Sequence, residues 1–285
     1  IICAKTIIEE FKTRTKAQIV NAVFLTDGQS NRNNHYLDSE NVSRQIDREK
    51  IADCDLIVSV SNTQSIDFPS IAHFLHSELG LDQKVKCIGI NAGCTGFVDA
   101  IEIVYSLVSS GFYSKAAIVN ADTYSKFLNN ERSTRTLFSD GASVTLVSKD
   151  SKGFQIKNKI SSSAVETYEH LIKRDFGGER LIKMNGPKVL QFAMGIVQKD
   201  LLELIDQEHD YILFPHQAGK LVLDTLERKL PKNIKIFKNY VDYGNLVSAS
   251  IPNLIKENID ELNNKRIIIS GFGVGLAHNA LLLEK

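Results

Sequence analysis

The stretch Asn91-Ala-Gly-Cys-Thr-Gly-Phe97 joins an apolar, β-branched run, Val85 to Ile90, to an amphipathic one, Thr95 to Ser109, which Gly111 closes. A strand that ends in small residues and turns at once into a helix is a unit of layered α/β proteins. Working outward, the same pattern recurs on both sides. Upstream, Asp55 to Val60 reads as a strand and Phe68 to Leu79 as a helix with Pro69 in its first turn, and downstream Lys115 to Asn120 and Ala142 to Ser148 read as strands. A second set follows: helix Lys188 to Ile205, strand Tyr211 to Phe214, helix Gln217 to Leu230, strand Ile234 to Val241, helix Ser248 to Asn258, and the strand pair Arg266 to Ser270 and Ala277 to Leu283. The polar stretch Lys149 to Lys183 reads as a connecting excursion between the sets. The chain is therefore expected to form two similar α/β halves, 1–150 and 151–285, with Cys94 in one and His216 in the other at matching strand-to-helix positions.

Composition narrows the function. The 285 residues are 43% hydrophobic and 24% charged, with 34 Lys plus Arg against 34 Asp plus Glu, so no net field recruits a polyanion and no nucleic-acid surface is expected. Four cysteines without paired spacing fit a reducing compartment, with the cytoplasm as the expected location. The longest uncharged stretch, Ile267 to Leu283, contains Ser270, His278, Asn279 and three glycines, which suits two buried strands around a turn better than a membrane span. The chain begins at Ile1 rather than Met, which leaves its true start open.

The chemistry is expected where polar residues interrupt apolar runs. A thiol at the Cys94 turn faces the unpaired N–H groups that open the following helix, whose partial positive charge favours thiolate and points to a nucleophile. The bland alternative is a small buried hydrophobe. A nucleophile needs a proton partner, and His216 in Leu213-Phe-Pro-His-Gln-Ala218 ends a strand as Cys94 does. In Asp242-Tyr-Gly-Asn-Leu-Val-Ser-Ala-Ser250, Asn245 is placed to donate an amide N–H to a substrate carbonyl, or to cap a helix. Gly271-Phe-Gly-Val-Gly275 lacks the spacing and the helix of a phosphate cradle, and its backbone N–H groups suit an oxyanion. His73 and His76 lie three apart without a third ligand, so no metal site is expected. His35, His170, His209 and His278 are background.

Four motifs fall in one order: Ala-Gly-Cys-Thr-Gly-Phe, Phe138-Ser-Asp-Gly-Ala-Ser143, Pro-His-Gln-Ala, and Tyr-Gly-Asn-Leu-Val-Ser-Ala-Ser. With Phe-Gly-Val-Gly near the end, this set resembles the β-ketoacyl-acyl carrier protein synthase III family of the thiolase superfamily, over residues 50 to 285. The resemblance implies an α/β, five-layered αβαβα thiolase-like fold and a homodimer. It implies a triad in which Cys94 is the acylated nucleophile and His216 and Asn245 stabilise the enolate left when a malonyl thioester loses carbon dioxide. It further implies an oxyanion hole from the backbone N–H groups of Cys94 and Val274. Among substrate-binding residues, Phe68 matches a phenylalanine that crosses the dimer into the partner's acyl pocket, Arg132 matches an arginine that helps bind the coenzyme A nucleotide, and Phe272 belongs to the same glycine-rich motif. No cofactor is implied; acyl-coenzyme A or acyl-carrier-protein thioesters are the substrates, and the acyl carrier protein is the expected partner.

The sequence departs from the family pattern ahead of Cys94, which is shorter, and lacks any tryptophan, while Pro187 and Gly219 stand where asparagine is usual. These departures spare the triad and leave the donor open. A related acyltransferase passing the acyl group to an amine or hydroxyl, or a subunit pairing with an active homologue, are the competing readings. The order Cys, His, Asn also occurs in papain-like peptidases, whose Cys-Gly-Ser-Cys-Trp signature is missing. Lys220, Arg228 and Lys229 are either a surface for an acidic carrier protein or ordinary solvated helix charges.

Overall fold

The computed structural model describes residues 19–24, 48–64, 66–128, 132–149, 153–262 and 266–285, with backbone alone for 19–24, 48, 49, 132 and 133. Two five-stranded sheets carry the molecule. The first contains β1 (Ile19–Phe24), β2 (Leu56–Val60), β3 (Lys86–Ile90), β4 (Lys115–Asp122) and β5 (Gly141–Ser148), in the order β1-β5-β4-β2-β3. The second contains β6 (Gln155–Ser163), β9 (Tyr211–Pro215), β10 (Ile234–Ile236), β11 (Arg266–Gly273) and β12 (Ala277–Glu284), in the order β10-β9-β11-β12-β6. A separate hairpin pairs β7 (Leu171–Asp175) with β8 (Arg180–Met184).

Alternation along the strands decides the layering. Leu56, Val58 and Val60 of β2 and Ile212 and Phe214 of β9 face one shared core, while Ile57 and Leu213 face outward into two others. Successive side chains of a strand point to opposite faces, so strands apolar at every position must be covered on both sides. The shared core holds α2 (Gly96–Ser109), through Phe97, Ile101 and Val104, and α5 (Ser250–Glu257), through Ile251 and Leu254. Outside the first sheet lies α1 (Ile71–Leu79). Outside the second lie α3, which runs Gly186–Phe192, Ala193–Val197 and Gln198–Leu204 with a π-turn in the middle, and α4 (Lys220–Lys229). Helix, sheet, helix, sheet, helix gives five layers.

The halves match strand for strand. In the first, β2 pairs in parallel with β3 and β4, while β4, β5 and β1 follow antiparallel; in the second, β9 pairs in parallel with β10 and β11, while β11, β12 and β6 follow antiparallel. This correspondence corrects one expectation. Cys94 follows the outer strand β3 and opens α2, so its counterpart is the segment between β10 and α5 that carries Asn245 and Ser248; His216 follows β9, whose counterpart β2 leads to Ser61 and Asn62. The two residues occupy different slots.

Other differences have local causes. Lys149 to Lys183 holds β6 and β7 and reaches into β8, because β6 is an edge strand whose polar side chains stay in solvent while its backbone pairs with β12. The run Ile234 to Val241 is strand only to Ile236 and becomes a helical turn at Tyr240–Tyr243. Pro69 lies outside α1, which starts after Ser70. The pair β11 and β12, joined by a turn at Val274–Leu276, accounts for the uncharged C-terminal stretch. Among the described residues no helix is long and apolar enough to cross a membrane, and no group of three His, Cys, Asp or Glu is arranged to hold a metal ion.

Candidate active site

Gly93 has φ 57°, a conformation that glycine adopts without the steric penalty of a Cβ, and this lets the chain leave β3 and start the single 3-10 turn Gly93–Thr95 that presents Cys94. The Thr95 hydroxyl donates to Asp99 at 2.7 Å and to the Ala92 carbonyl at 3.2 Å, bracing the turn from inside α2. The glycine-rich end of β11 lies directly on it. A Cβ at Gly273 would stand 2.9 Å from Cys94 Sγ, and one at Gly271 would stand 2.8 Å from the Cys94 carbonyl oxygen. The close approach brings the Val274 backbone beside the sulfur, and its N–H, with that of Cys94 itself, favours the ionised thiol.

The His216 ring lies edge-on to Phe272, with centroids 5.8 Å apart, and the His216 N–H donates to the Ser270 carbonyl at 2.8 Å. The nearby Val247 backbone favours its protonated form, and its Nδ1 has no partner among the described residues. Asn245 sits two residues before Val247, whose N–H it accepts through Oδ1 at 2.9 Å. The Phe-Ser-Asp-Gly segment fixes that asparagine: the Asn245 N–H donates to Leu137 O at 3.0 Å, and the Ser139 N–H donates to Asn245 O at 2.9 Å. The turns at 93–95 and 247–249 pack on each other, and Cys94, His216, Asn245 and Phe272 are buried around them, with half-buried Val274 at the edge.

Burial dominates the electrostatics. It pushes the Cys94 thiol up to about 12, against the smaller downward pull of the Val274 and Cys94 N–H groups. The expected thiolate is therefore absent from the resting site: Cys94 is 2% exposed, and loss of hydration outweighs the helix end. Burial also lowers His216 to about 4, so the imidazole is neutral near pH 7.

The remaining expected residues are scattered. Phe68 is 85% exposed and is not part of the lining of the cavity beside the Cys94 turn. Arg132 begins a helical turn, Arg132–Arg135, and its side chain lies outside the described residues. On α4, Lys220 pairs with Asp224 at 2.7 Å and Arg228 donates to the Asp224 carbonyl and Thr225.

Two buried networks are absent from the sequence-based expectations. Asp122, at the end of β4, accepts from the N–H of Asn62 at 3.1 Å, the Thr63 hydroxyl at 3.2 Å, the Ser248 N–H at 3.3 Å and the Ser248 hydroxyl. On the other sheet, His278 bridges Asp200, 2.7 Å from Nδ1, and Ser270, 3.0 Å from Nε2. That array has the order of a hydrolase triad, but Ser270, His278 and Asp200 are 0%, 1% and 4% exposed, and Ser270 spends its carbonyl on His216. It braces the strand that carries the site. No spacing joins residues 200, 270 and 278, so only the fold reveals them.

A cavity of about 350 Å³ opens beside the Cys94 turn, lined by Asn62, Leu171, Lys173, Arg180, Val274 and Gly275 among others.

Known proteins bear on this geometry. The family model for 3-oxoacyl-[acyl-carrier-protein] synthase III matches residues 88–167, and the model of its C-terminal part matches 205–285. The chain is 32% identical over 259 residues to the β-ketoacyl-[acyl-carrier-protein] synthase III of Acholeplasma laidlawii, covering 85% of this chain and 78% of that protein. The crystal structure of the Thermus thermophilus synthase III superposes with a TM-score of 0.74 at 27% identity, over 87% of this chain and 83% of that one. A 3-oxoacyl-(acyl-carrier protein) synthase structure from Burkholderia xenovorans shares the fold with a TM-score of 0.78 at 23% identity, over 94% of this chain and 93% of that one. With its two-sheet, five-layered thiolase-like architecture, the chain belongs to the 3-oxoacyl-[acyl-carrier-protein] synthase III family.

Proposed function

We propose that Cys94 carries the acyl group in a two-step condensation, with His216 and Asn245 serving the second step. The observation that supports this most is the packing of the glycine-rich end of β11 on one buried sulfur, where a Cβ at Gly273 would stand 2.9 Å from Cys94 Sγ and the Val274 and Cys94 N–H groups lower the thiol's proton affinity. A thioester carbonyl at that sulfur develops its negative charge between two fixed donors, which is where preorganised dipoles lower a barrier most. In the first step the sulfur gives up its proton, bonds to the acyl carbon and releases the donor thiol. In the second, a malonyl thioester loses carbon dioxide, its carbanion bonds to the acyl carbon, the bond to Cys94 Sγ breaks, and the sulfur takes up a proton from solvent to return to the thiol.

Neutral His216 suits the second step. A buried imidazole that is neutral near pH 7 donates to an enolate oxygen without bringing a full charge into the site, and the Asn245 amide N–H does the same. Acyl carrier protein and acyl thioesters are the partners this reading requires. It also gives the exposed Phe68 ring a place, against a second copy of the chain, and assigns Arg132 to the donor's nucleotide or phosphate.

Intact-protein mass spectrometry with a panel of acyl thioesters tests the first step: Cys94→Ala gains no acyl mass, and an acylated Cys94→Ala protein refutes the assignment. His216→Ala and Asn245→Ala load the acyl group but release carbon dioxide from a malonyl thioester at least a hundredfold more slowly, on the order of the loss of one preorganised donor. Wild-type decarboxylation in both variants removes these two residues from the mechanism. Acyl transfer to an amine or hydroxyl without carbon dioxide release identifies the acyltransferase instead.

A further inference from the structure

The cavity beside the turn that carries Cys94 has polar walls. Its wall at Val274 is also the backbone that reaches the sulfur, and its wall at Asn62 touches the nucleophile turn: a Cβ at Gly93 would meet Val274 at 2.8 Å and the Asn62 amide nitrogen at 3.0 Å. Leu171 closes the same side, 3.9 Å from a Cβ placed at Gly273. An acyl group on Cys94 that leaves the buried core has this space beside it.

The lining is not apolar. Ser61, Asn62, Gln64, Asp67, Lys173 and Arg180 all contribute to it. Arg180 is neutralised by Asp67, with 3.2 Å between Nη1 and Oδ1. Lys173 is not. It stands half-buried on β7, its ammonium donates to the Asn62 backbone carbonyl and lies 4.2 Å from the centroid of the Phe127 ring, and among the described residues no carboxylate is within ion-pair distance. An ammonium has three donors, so one accepted hydrogen bond leaves two unused. Beside it, Asn62 Nδ2 donates to the Tyr124 hydroxyl at 3.0 Å, while Asn62 Oδ1 is buried without a partner. A half-buried cation that feels Asp122 and Asp67 only from beyond ion-pair distance, and Arg180 against it, gains from an anion that meets it directly.

We propose that this cavity selects acyl thioesters whose far end bears a carboxylate, which Lys173 binds. The proposal rests on the reading of Cys94 as the acyl carrier. The group-transfer step is unchanged: Cys94 Sγ bonds to the thioester carbon, the donor's carbon–sulfur bond breaks, its thiol takes the proton, and the distal carboxylate stays ionised throughout.

The test compares acylation rates of the intact protein, by mass spectrometry, with succinyl- and butyryl-pantetheine, which match in chain length and differ at the far end. Wild type is expected to load succinyl about tenfold faster or more, the scale of one hydrogen bond to a charged group. Lys173→Met is expected to bring the two rates within about twofold, or reverse them, while Lys173→Arg keeps the preference. Equal or faster loading of butyryl by wild type overturns the proposal and leaves the acyl-carrier reading standing. A preference for succinyl that survives in Lys173→Met also overturns it. Loading of neither thioester, together with none from the wider panel above, overturns both readings. The wild-type rate ratio needs no variant, so a Lys173→Met protein that fails to fold does not remove the test.

Discussion

Cys94 and His216 show at the residue scale how one physical effect, removal from water, sets two proton affinities in opposite directions. The thiol is raised from 9.0 to about 12 and the imidazole lowered from 6.5 to about 4. Each shift is also a statement about stability. Below pH 6.5 the unfolded chain protonates this histidine while the folded chain resists until about 4, so stability falls as pH drops through that window. Above pH 9 the unfolded chain loses the cysteine proton while the folded chain keeps it to about 12, so stability falls as pH rises. Urea unfolding across pH is expected to show a shallower acid limb in His216→Gln and a shallower alkaline limb in Cys94→Ala, each relative to wild type; unchanged limbs place both groups in water. The identity of these residues was legible from their turns. Their protonation was not, because a helix end can be recognised in a sequence and the depth of burial cannot.

The elements show where sequence periodicity is enough and where it fails. Strands buried on both faces, such as Leu56–Val60 and Tyr211–Pro215, are readable because burial on two sides leaves them mostly apolar, with Ser59 the one small polar exception in Leu56–Val60. The edge strand Gln155–Ser163 is not readable, since its Lys, Asn and Ser side chains face solvent and only the backbone of β12 makes it a strand. Residues 1–18 and 25–47 lie outside the described part. The glycines of β11 are legible as a motif, but their reason is spatial. A Cβ at Gly271 would sit 2.8 Å from both Cys94 O and Thr95 Cα, backbone atoms that a flexible side chain cannot relieve. Gly271→Ala is therefore expected to destabilise the protein by about 1–3 kcal/mol in urea unfolding, the range for an overpacked site. It should also slow acylation of Cys94 more than Gly177→Ala, where a Cβ meets no atom within 4 Å, slows it. Equal effects of the two substitutions on acylation would refute the close packing of β11 on the nucleophile turn.

For the molecule as a whole, the two matched halves form a single site only where they touch. Asp122 is one such seam, a fully buried carboxyl from the first sheet that receives the N–H and hydroxyl of Ser248 from the second half. Asp122→Ala leaves the buried donors of Ser248, Asn62 and Thr63 without their acceptor, and about 3 kcal/mol or more of unfolding free energy is expected to vanish, at 1–3 kcal/mol for each unsatisfied group. A loss below 1 kcal/mol in urea titration would show that water reaches the seam. The repeated architecture was legible as two sets of strands and helices, whereas the slot that pairs Cys94 with the Ser248 turn needed the strand order to be seen. The depth of that slot has a further effect on timing. A sulfur that is 2% exposed is shielded from bulk water. If Cys94 carries the acyl group as proposed, the thioester is shielded from hydrolysis while the second substrate is still diffusing, so seclusion lengthens the life of the intermediate.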